Sequence, residues 1–455
     1  MGKVMLRKPE EARMSDQHFD TEALRRAGER YLVRTRLLTD IIPEGGGPVL
    51  ERAEGSRIWD TDGKVYLDFN SGQMCSALGH NNPRVARAVS EGMSHLTHCS
   101  STYYNVPQVQ LAEKLASTLP EPLTRSMFIQ SGADSNEAAV LFARRATGRS
   151  GIGAFSYSFH GYSDATRAMS FIGGPGPGYG PSLADVHAIP TPYTYRPAVG
   201  DAEADPDWWR PLIALTFEVL DRQSPNNLAA IIAEPLISAG GVIELPAGYL
   251  QALRDELHAR GALLILDEAQ TGLGKLGTMY GHEQHGVVPD IMTLSKHFGG
   301  GIALSAVITS DEIEERATAG GLNFGHSHSS DPISCTAGLA SLEEIIEENL
   351  TARAKAIGVA WQSRMVALQQ RHGMVGDVRG RGCLQGVELV RDRATKEPAT
   401  AEAARVLGHC LNAGLLFPVR GPNSNVLRFV PPFTTTDADL DEATGILEEA
   451  IAAAG

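Results

Sequence analysis

Short apolar runs separated by helical stretches dominate the middle of the chain. The runs are GIGAF (151–155), LAAIIAEP (228–235), ALLILDEA (262–269), DIMTLSK (290–296) and LSAVITS (304–310). Continuous apolar strands that alternate with helices are typical of a parallel or mostly parallel sheet covered on both faces. Functional groups in such sheets lie at the carboxyl ends of the strands and in the loops that follow. The pattern therefore predicts an α/β protein with its site at that edge.

The amino-terminal part of the chain has a different pattern. Residues 1–20 are polar and charged and predict a tail. Residues 22–38 have helical spacing, and residues 58–69 predict a hairpin around Asp62-Gly63. The proline- and glycine-rich segment 171–182 predicts a surface loop, either a plain connector or an element of substrate access.

The carboxyl-terminal part predicts a second, smaller sheet. After residue 340 a long helical stretch leads into GDVRGRGCLQGVELV, which alternates apolar and polar positions between glycines. We expect a large domain over residues 76–340. Residues 21–75 and 341–455, from the two ends of the chain, are expected to form a small α+β domain.

Composition excludes several classes of protein. The formal net charge is −14, which disfavours a phosphate backbone and therefore a nucleic-acid partner. No apolar run approaches the roughly 20 residues that span a bilayer, and the amino terminus lacks the apolar stretch of a secretory signal. Five scattered cysteines without CxxC spacing favour a reduced compartment. We expect a cytoplasmic protein that contacts neither membrane nor nucleic acid.

A glycine-containing loop precedes an alanine-rich helix in SGADSNEAAVLFARRATG (131–148). The amides of Ser131, Gly132 and Ala133 could meet a phosphate group at the start of that helix, and the Ser131 hydroxyl could add a hydrogen bond. The same residues are also a common helix-capping sequence. Alone, this segment leaves both interpretations open.

Two charged residues follow apolar strands at the predicted functional edge. Asp267 ends ALLILD, where it could pair with a pyridinium nitrogen or simply cap the next helix. Lys296 ends TLSK and precedes HFGGG, whose glycines allow close approach of a ligand. A lysine that leaves a buried strand is costly unless it is paired or used covalently, although a surface lysine is the alternative.

These three signals in this order resemble the class III aminotransferases, a family of fold-type I enzymes that use pyridoxal 5′-phosphate (PLP). The resemblance extends from about residue 45 to the end, through GSRIWDTDGKVYLDF, LGHNNPRV, SGADSNEAA, FHGY, AEP, LDEAQTGLGKLG, PDIMTLSKHFGGG, GDVRGRG and RFVPP. It implies the PLP-dependent transferase fold, with a large domain and a small domain. It also implies a homodimer or homotetramer with shared active sites.

The resemblance implies specific roles at the cofactor. Lys296 would form the Schiff base with PLP, Asp267 would pair with the pyridine nitrogen, and Gln270 would lie beside the 3′ oxygen. The other implied cofactor-binding residues are Ser131, Gly132, Ala133, Phe159, His160, Glu234 and Ser327.

Within the family, the chain resembles the 2,2-dialkylglycine decarboxylases, which couple decarboxylation to transamination. The likeness rests on Gln73 in SGQM, on DRQSPNNLAAIIAEP and on Ser-Asp-Pro at 330–332. A neutral amide at Gln73 could hold a leaving carboxylate perpendicular to the cofactor ring without over-stabilising it. Arg428 would hold a substrate carboxylate in the ring plane by a bidentate contact. The alternatives are an ordinary polar residue at Gln73 and an inter-strand ion pair at Arg428.

Two further residues are implied to line the substrate pocket, namely Tyr162 and Ala239. Ala239 replaces a serine of the decarboxylases, and Phe159 replaces a tryptophan that stacks on the cofactor ring. Both changes keep PLP binding but alter the shape of the pocket. The substrate is therefore less sharply implied than the cofactor.

The segment NFGHSHSSDP (323–332) invites a metal interpretation. His326 and His328 alternate, but without a third soft ligand they are weak evidence for zinc. The resemblance implies instead an alkali-cation site, for K⁺ or Na⁺, with hard oxygen ligands. Its implied residues are Cys99, Ser101, Ser327, Ser329 and Asp331, with a serine at 327 where the family has threonine.

The sequence therefore predicts decarboxylation-dependent transamination. A 2,2-dialkylglycine such as 2-aminoisobutyrate would react with a 2-oxo acid such as pyruvate, giving CO₂, a ketone and L-alanine. The alternatives are ordinary class III transamination, amino-acid epimerisation and a binding subunit that retains the fold without catalysis.

Overall fold

A computed structural model of the chain describes residues 19–33, 47–172 and 183–455. Its strands, in chain order, are β1 (Leu50–Glu54), β2 (Arg57–Asp60), β3 (Val65–Asp68), β4 (Arg125–Ile129), β5 (Gly151–Phe155), β6 (Val186–Ile189), β7 (Leu228–Ala233), β8 (Leu236–Ile237), β9 (Ile243–Glu244), β10 (Leu263–Asp267), β11 (Ile291–Leu294), β12 (Ser305–Thr309), β13 (Val375–Arg381), β14 (Leu384–Asp392), β15 (Glu397–Pro398), β16 (Leu415–Leu416), β17 (Val419–Arg420) and β18 (Val426–Phe429).

Thirteen α-helical segments accompany these strands among the described residues. They are α1 (Thr21–Tyr31), α2 (Ser71–Met74), α3 (Pro83–Met93), α4 (Val106–Ala116), α5 (Gly132–Thr147), α6 (Asp164–Ala168), α7 (Arg210–Gln223), α8 (Tyr249–Ala259), α9 (Asp311–Ala319), α10 (Pro332–Glu347), α11 (Leu350–Arg371), α12 (Thr400–Ala413) and α13 (Asp437–Ala454). Two short 3₁₀ helices follow β10 and β11, at Gly281–His285 and Lys296–Gly299.

A seven-stranded sheet forms the centre, in the order β4-β12-β11-β10-β7-β5-β6. The five strands from β11 to β6 are parallel, and only β12 runs against its two neighbours. Five of its strands, β5, β7, β10, β11 and β12, are buried along their whole length. The predicted α/β class and mostly parallel sheet are confirmed.

The predicted apolar runs coincide closely with strands of this sheet. GIGAF is β5 from end to end, and the other four runs contain β7, β10, β11 and β12. One prediction was wrong: Lys296 does not end a strand, because β11 stops at Leu294. Ser295 is extended and Lys296 turns into the left-handed region (φ 57°), so the chain leaves the sheet before the lysine.

Smaller sheets bring the two ends of the chain together. In a four-stranded sheet, β16 pairs in parallel with β3, and β2 pairs with β3 as the predicted hairpin. A further sheet has the order β13-β14-β18-β17, with β15 on β14. Strand β18 brings Arg428 to the molecule's interior.

The predicted helix over 22–38 is shorter than expected. It begins after the N-cap Asp20 and ends at Tyr31, because Leu32 adopts an extended conformation (ψ 140°). Residues 34–38, residues 1–18 of the predicted tail and residues 173–182 of the predicted loop lie outside the described residues.

Helix α5 illustrates how local sequence fixes an element next to the site. Ser131 and Asp134 form a reciprocal capping box at its start, and Gly148 ends it in the left-handed conformation (φ 68°). Its inner face buries Ala138, Ala139 and Phe142 against the central sheet. The start of this helix is therefore held firmly at the sheet edge.

Cysteine pairing and helix length are two further global features of the chain. All five cysteines lie in described segments and are free. Across 19–33, 47–172 and 183–455 no helix is both long and apolar enough to cross a bilayer.

Candidate active site

Asp267 lies at the end of the central strand β10, as predicted, and is 5% exposed. Its Oδ2 lies 2.8 Å from Nδ1 of His160 and accepts a hydrogen bond from Nδ2 of Asn136 at 2.7 Å. Its Oδ1 accepts one from the Ala269 amide at 3.0 Å. Burial alone would raise the pKa of Asp267, but the bond to His160 and the nearby positive charges lower it below its ordinary value. The carboxylate is therefore ionised.

Asn136 was not anticipated as a site residue. It lies one turn into α5, and Oγ1 of Thr293 donates to its Oδ1 at 2.8 Å. Its Nδ2 also donates to the backbone carbonyl of His160 at 2.8 Å. One amide side chain thus orients Asp267 and the loop that carries His160. The spacing within SGADSN could have indicated this role, because a residue four positions after Gly132 shares its helix face.

Lys296 is partly buried at the start of its 3₁₀ helix. Burial lowers the pKa of Lys296 from its ordinary value, and the charges of Asp267, Cys75 and Glu234 oppose that effect. Within the described ranges its Nζ has no hydrogen-bond partner. A basic amine next to an ionised aspartate is thereby available for covalent or proton-transfer chemistry.

The start of α5 faces the same region. The Ser131 hydroxyl donates to Oδ2 of Asp134 at 2.6 Å and accepts from the Asp134 amide at 3.2 Å, so the capping interpretation is realised. The first amides of a helix have no intrahelical acceptor and can meet an anion. A Cβ on Gly132 would lie 3.1 Å from the Ser295 hydroxyl, so the chain segments approach closely there.

The FHGY loop packs over this helix start. Gly161 has φ 143°, and a Cβ at that position would lie 2.7 Å from Cβ of Ala133. Phe159 donates its amide to Oε1 of Glu234 at 3.1 Å, and its ring meets the exposed Tyr162 edge-on at 4.9 Å. Phe159, His160 and Tyr162 are therefore brought to one place, next to Ala133.

Glu234 is buried between the FHGY loop and the segment after β7. Its Oε2 accepts from the Ser238 amide at 3.1 Å. Burial raises the pKa of Glu234 to about 7, against the opposing charge of His160. Its two backbone contacts identify it as a residue that fixes the loops around the site.

Arg428 enters the site from β18 and is 3% exposed. Its Nη1 donates to Oγ of Ser238 and to Oε1 of Gln270, each at 3.3 Å. Its Nε is buried without a partner among the described residues. Burial lowers the pKa of Arg428 well below its ordinary value, assisted by the nearby charge of Arg420. Neither arginine forms an ion pair in the described part of the chain, so the alternative of an inter-strand ion pair for Arg428 is wrong.

Gln73 reaches Arg428 through one intermediate side chain. Nη2 of Arg428 donates to Oδ1 of Asn70, and Nδ2 of Asn70 donates to Oε1 of Gln73, each at 3.4 Å. Gln73 itself is exposed. Ala239 is partly buried next to Ser238, and its carbonyl accepts from the Gly421 amide at 3.2 Å. These residues therefore border one region around the Arg428 guanidinium.

The residues of the predicted cation site form a different arrangement. Oδ1 of Asp331 lies 2.6 Å from Nδ1 of His98, and Oδ2 of Asp331 lies 2.5 Å from Nδ1 of His328. Potential ligand atoms of these three residues lie within 4.8 Å of one another. Two imidazoles do not suit an alkali ion, which prefers oxygen ligands.

The other residues of that prediction are dispersed around Asp331. Ser329 caps the local turn through a 3.0 Å bond from the His326 amide, whereas Ser101 and Ser327 are exposed. Sγ of Cys99 accepts a hydrogen bond from Asn105 at 3.7 Å. His98 was not considered from sequence, because it lies more than 200 positions before Asp331.

The central residues fit PLP. An ionised, buried aspartate suits a protonated pyridine nitrogen, and the free amides of α5 suit a phosphate group. Nε2 of His160 is buried without a hydrogen-bond partner within the described ranges, which is expected of a side chain that faces a ligand. Lys296 would supply the amine that binds the cofactor covalently, and Phe159 an aromatic face.

Comparison with known proteins supports the same conclusion. The family model "Aminotransferase class-III" matches residues 43–451. The 5-aminovalerate aminotransferase DavT of Pseudomonas aeruginosa is 34% identical over 90% of this chain and 95% of its own. A leucine/methionine racemase of Thermococcus litoralis is 33% identical over 89% of this chain and 90% of its own.

A solved structure has the same architecture over nearly its full length. An (S)-enantioselective omega-transaminase from Thermomicrobium roseum matches with a TM-score of 0.87 and 31% identity, over 96% of this chain and 98% of its own. Similarity of this kind extends across enzymes with different reactions, so the site residues must decide between reactions.

Proposed function

Because this chain belongs to the class III aminotransferase family, whose members use PLP, we propose that it transfers an amino group from an amino acid to a 2-oxo acid without loss of CO₂. The observation that carries the proposal is Arg428, which is 3% exposed and forms no ion pair with any carboxylate of the described residues. A buried guanidinium is costly unless an anion covers it, and a substrate carboxylate is such an anion.

When bound, PLP supplies an electron-withdrawing ring that stabilises negative charge on the substrate's α-carbon. Asp267 is suited to keep a proton on the ring nitrogen because it is ionised and locked by His160 and Asn136. Lys296 is suited to carry a proton from and to the substrate carbon, because its lowered pKa favours the neutral amine. Arg428 orients the substrate through its carboxylate.

A second arginine supports a substrate with two polar ends. Arg420 is partly buried, and burial lowers its pKa. It donates to the Val419 carbonyl at 2.9 Å, and its charge interacts with both Tyr162 and Arg428. We infer that it meets a second anionic group, as in an ω-amino acid or a dicarboxylic 2-oxo acid. The aminovalerate aminotransferase among the relatives is consistent with that class.

Decarboxylation-dependent transamination is the second candidate, and one observation favours it. The chain Gln73-Asn70-Arg428 gives the site an amide and a guanidinium that could hold one carboxylate in two different positions. Gln73 is exposed, however, and it bonds only weakly to Asn70. Ordinary transamination requires no contribution from Gln73, so it is the simpler function for this arrangement.

Assembly with a second copy of the chain is also part of the proposal. Large apolar side chains are exposed between α3 and α4, with Tyr103 72%, Tyr104 88% and Val106 69% exposed. Such a cluster is typical of a covered interface. Asn105, between Tyr104 and Val106, donates to the Ser330 carbonyl at 2.9 Å, so the cluster lies close to the loop with Ser327. The family resemblance assigns Ser327 to the neighbouring subunit's phosphate site.

The predicted cation site remains a proposal, and the identity of its ion is to be determined. Activity measured with K⁺, with Na⁺ and after chelation of divalent ions separates the cases. An alkali site predicts dependence on K⁺ or Na⁺ alone. A divalent ion bound by His98, His328 and Asp331 predicts loss on chelation.

The proposed function is tested with the purified holoenzyme and pairs of amino donor and 2-oxo acid. L-Alanine and 5-aminovalerate serve as ordinary donors, and 2-aminoisobutyrate serves as the decarboxylation substrate. Transfer from an ordinary donor without CO₂ supports the proposal. Turnover of 2-aminoisobutyrate alone, with stoichiometric CO₂, would establish the second candidate instead.

A further inference from the structure

Lys275 is a completely buried lysine that has no role in the proposed reaction. Its side chain is 0% exposed, and among the described residues its only hydrogen bond runs from Nζ to the Met74 carbonyl, at 3.3 Å. No carboxylate accompanies it within the described part of the chain. The titratable groups that interact with it are Lys296, Arg428, His297, Cys75 and Cys383.

Such a residue is expensive to keep. A buried ammonium without a counter-ion is strongly disfavoured, and an aliphatic side chain would fill the same space without that cost. Burial, with a smaller contribution from the nearby charge of Lys296, lowers the pKa of Lys275 to about 7. Fold stability therefore gives no reason for a lysine at this position. Its hydrogen bond to the Met74 carbonyl is the interaction that an aliphatic side chain could not make.

The backbone around Lys275 is held as tightly as its side chain. Its carbonyl accepts from the Cys383 amide at 2.8 Å, and a Cβ on Gly382 would lie 2.3 Å from that carbonyl oxygen. Lys275 belongs to the loop after β10 that also carries Gln270. The amine is thus fixed from the central sheet on one side and the β13–β14 hairpin on the other.

The segment that Lys275 reaches, Ser71–Met74, is conformationally strained. Ser71 (φ 49°), Gly72 (φ 66°) and Met74 (φ 63°) are all left-handed, a region that costs non-glycine residues energy. Such a turn persists only where surrounding contacts hold it. Ser71 donates to the Val430 carbonyl at 2.6 Å, and the Gly72 amide donates to Asp68 at 2.5 Å.

Those contacts secure the beginning of the turn. Its end is held by the Met74 amide, which donates to the Asn70 carbonyl at 2.9 Å, and by Lys275, which donates to the Met74 carbonyl. Between the two ends lies Gln73, and directly before the turn lies Asn70, which accepts from Arg428. A displaced Met74 carbonyl would therefore move the only described segment that contacts the Nη2 side of the Arg428 guanidinium.

We propose that Lys275 is a positioning residue: by holding the Met74 carbonyl, it fixes the Ser71–Met74 turn so that Asn70 and Gln73 meet Arg428 and set the orientation of a substrate carboxylate. This role rests on the proposed binding of that carboxylate by Arg428. It requires no contact between Lys275 and the substrate.

The first test compares Lys275→Met, which keeps the volume but loses the donor, with Lys275→Arg, which keeps a donor and a charge. In K275M we expect KM for the amino acid and the 2-oxo acid to rise about tenfold, while kcat changes little, because orientation of the carboxylate is lost. K275R should stay much closer to wild type. Lys355→Met, at an exposed lysine packed near Gly277, is the matched control and should leave KM unchanged.

A double-variant cycle tests whether Lys275 acts through the turn. If it does, adding K275M to Asn70→Ala should raise KM by less than twofold, because the contact to Arg428 is already broken. Full additivity of the two changes would overturn the proposal. A fall in kcat with unchanged KM in K275M would overturn it as well, and so would equal KM defects in K275R and K275M.

Binding of propionate, a carboxylate without an amino group, tests the role of Lys275 independently of turnover. Its dissociation constant, followed through the absorbance of the bound cofactor, should rise about tenfold in K275M and remain near wild type in K275R. If the wild-type holoenzyme binds propionate but transfers no amino group, the proposed function fails while this inference stands. If propionate binds equally well to all three proteins, the inference fails alone.

Discussion

Nδ1 of His160 lies 2.8 Å from Oδ2 of Asp267, and both side chains are buried at the carboxyl edge of the central sheet. The same oxygen accepts from Asn136 at 2.7 Å. Two donors on one buried oxygen keep the carboxylate ionised and fix its direction. This pair is therefore the structural reason for assigning Asp267 to a cofactor ring nitrogen.

Replacement of Asp267 by Asn should remove that charge with little change in shape. We expect kcat/KM to fall by about 10²–10³-fold, because a fixed charge at the cofactor is lost. Steady-state kinetics at saturating PLP measures the effect. Glu268→Gln is the matched control, since Glu268 is buried next to Asp267 but bonds to Thr271 and to the Gly281 and His282 amides. E268Q should lower the melting temperature and spare kcat/KM; equal losses in both variants would refute the assignment.

Arg428 should separate stability from function. In Arg428→Met a buried charge that forms no ion pair with the described residues disappears, so the free energy of unfolding should rise on the order of 1–4 kcal/mol. KM for carboxylate substrates should rise about a hundredfold in the same variant. Denaturant unfolding and steady-state kinetics provide the two measurements. A less stable R428M with an unchanged KM would mean that the guanidinium is structural.

Gly161 should be required for the cofactor end of the site. In Gly161→Ala the new methyl group would meet Ala133 and Thr166, so the FHGY loop must move away from the start of α5. We expect PLP affinity to fall at least about tenfold, measured by cofactor titration of the apoenzyme. Gly408→Ala is the control, because no atom lies within 4 Å of its Cβ position. Unaltered PLP affinity in G161A would show that the loop does not limit the cofactor site.

The pH dependence of stability should report on Lys275. Its pKa is about 7 in the folded chain, against an ordinary value of 10.5. Below pH 7 the lysine is protonated in both states and the native state bears the full cost, on the order of 5 kcal/mol. Between pH 7 and 10.5 the unfolded chain binds more protons, so the stability of the native state rises with pH.

Lys275→Met should therefore stabilise the protein most at pH 7 or below. Its advantage over wild type should shrink as the pH approaches 10. Melting temperatures of both proteins across this range provide the comparison, with Lys355→Met as the control for loss of a surface charge. An advantage that is independent of pH would contradict the burial of an uncompensated amine.

The proposed assembly has its own test. Val106→Asp places a charge within the exposed apolar cluster, which should disfavour association of two copies. Sedimentation should detect a smaller species than for wild type, and PLP retention should fall if neighbouring subunits share the phosphate site. A wild-type protein that sediments as a single chain would rule out the shared site.

Features that depend on neighbouring residues could be predicted from the sequence, whereas features that depend on contacts between distant residues could not. Strand β5 and the position of Asp267 were predicted correctly, because continuous apolar runs and strand ends are local signals. The strand before Lys296 was predicted two residues too long, because a left-handed backbone conformation at a lysine leaves no local sequence signal. The predicted helix over 22–38 ends early, at Tyr31, because Leu32 adopts an extended conformation that no Gly or Pro marks in the sequence.

Contacts between segments that are distant along the chain could not be predicted from the sequence. Lys275 and Met74 are 201 positions apart, and His98 and Asp331 are 233 positions apart. Only the folded chain brings such pairs together, so neither the buried amine nor the paired imidazoles could be inferred from spacing. Arg428 was identified through resemblance, whereas only the structure shows that it forms no ion pair with residues 19–33, 47–172 or 183–455.

The central claim is amino transfer by Lys296 without loss of CO₂. The most direct measurement follows the ¹⁵N-labelled amino group and CO₂ together, in one reaction of the holoenzyme with labelled donor and a 2-oxo acid. We expect label in the new amino acid, no CO₂, and loss of transfer in Lys296→Ala. Stoichiometric CO₂ with each transfer, or transfer that survives in K296A, would contradict it.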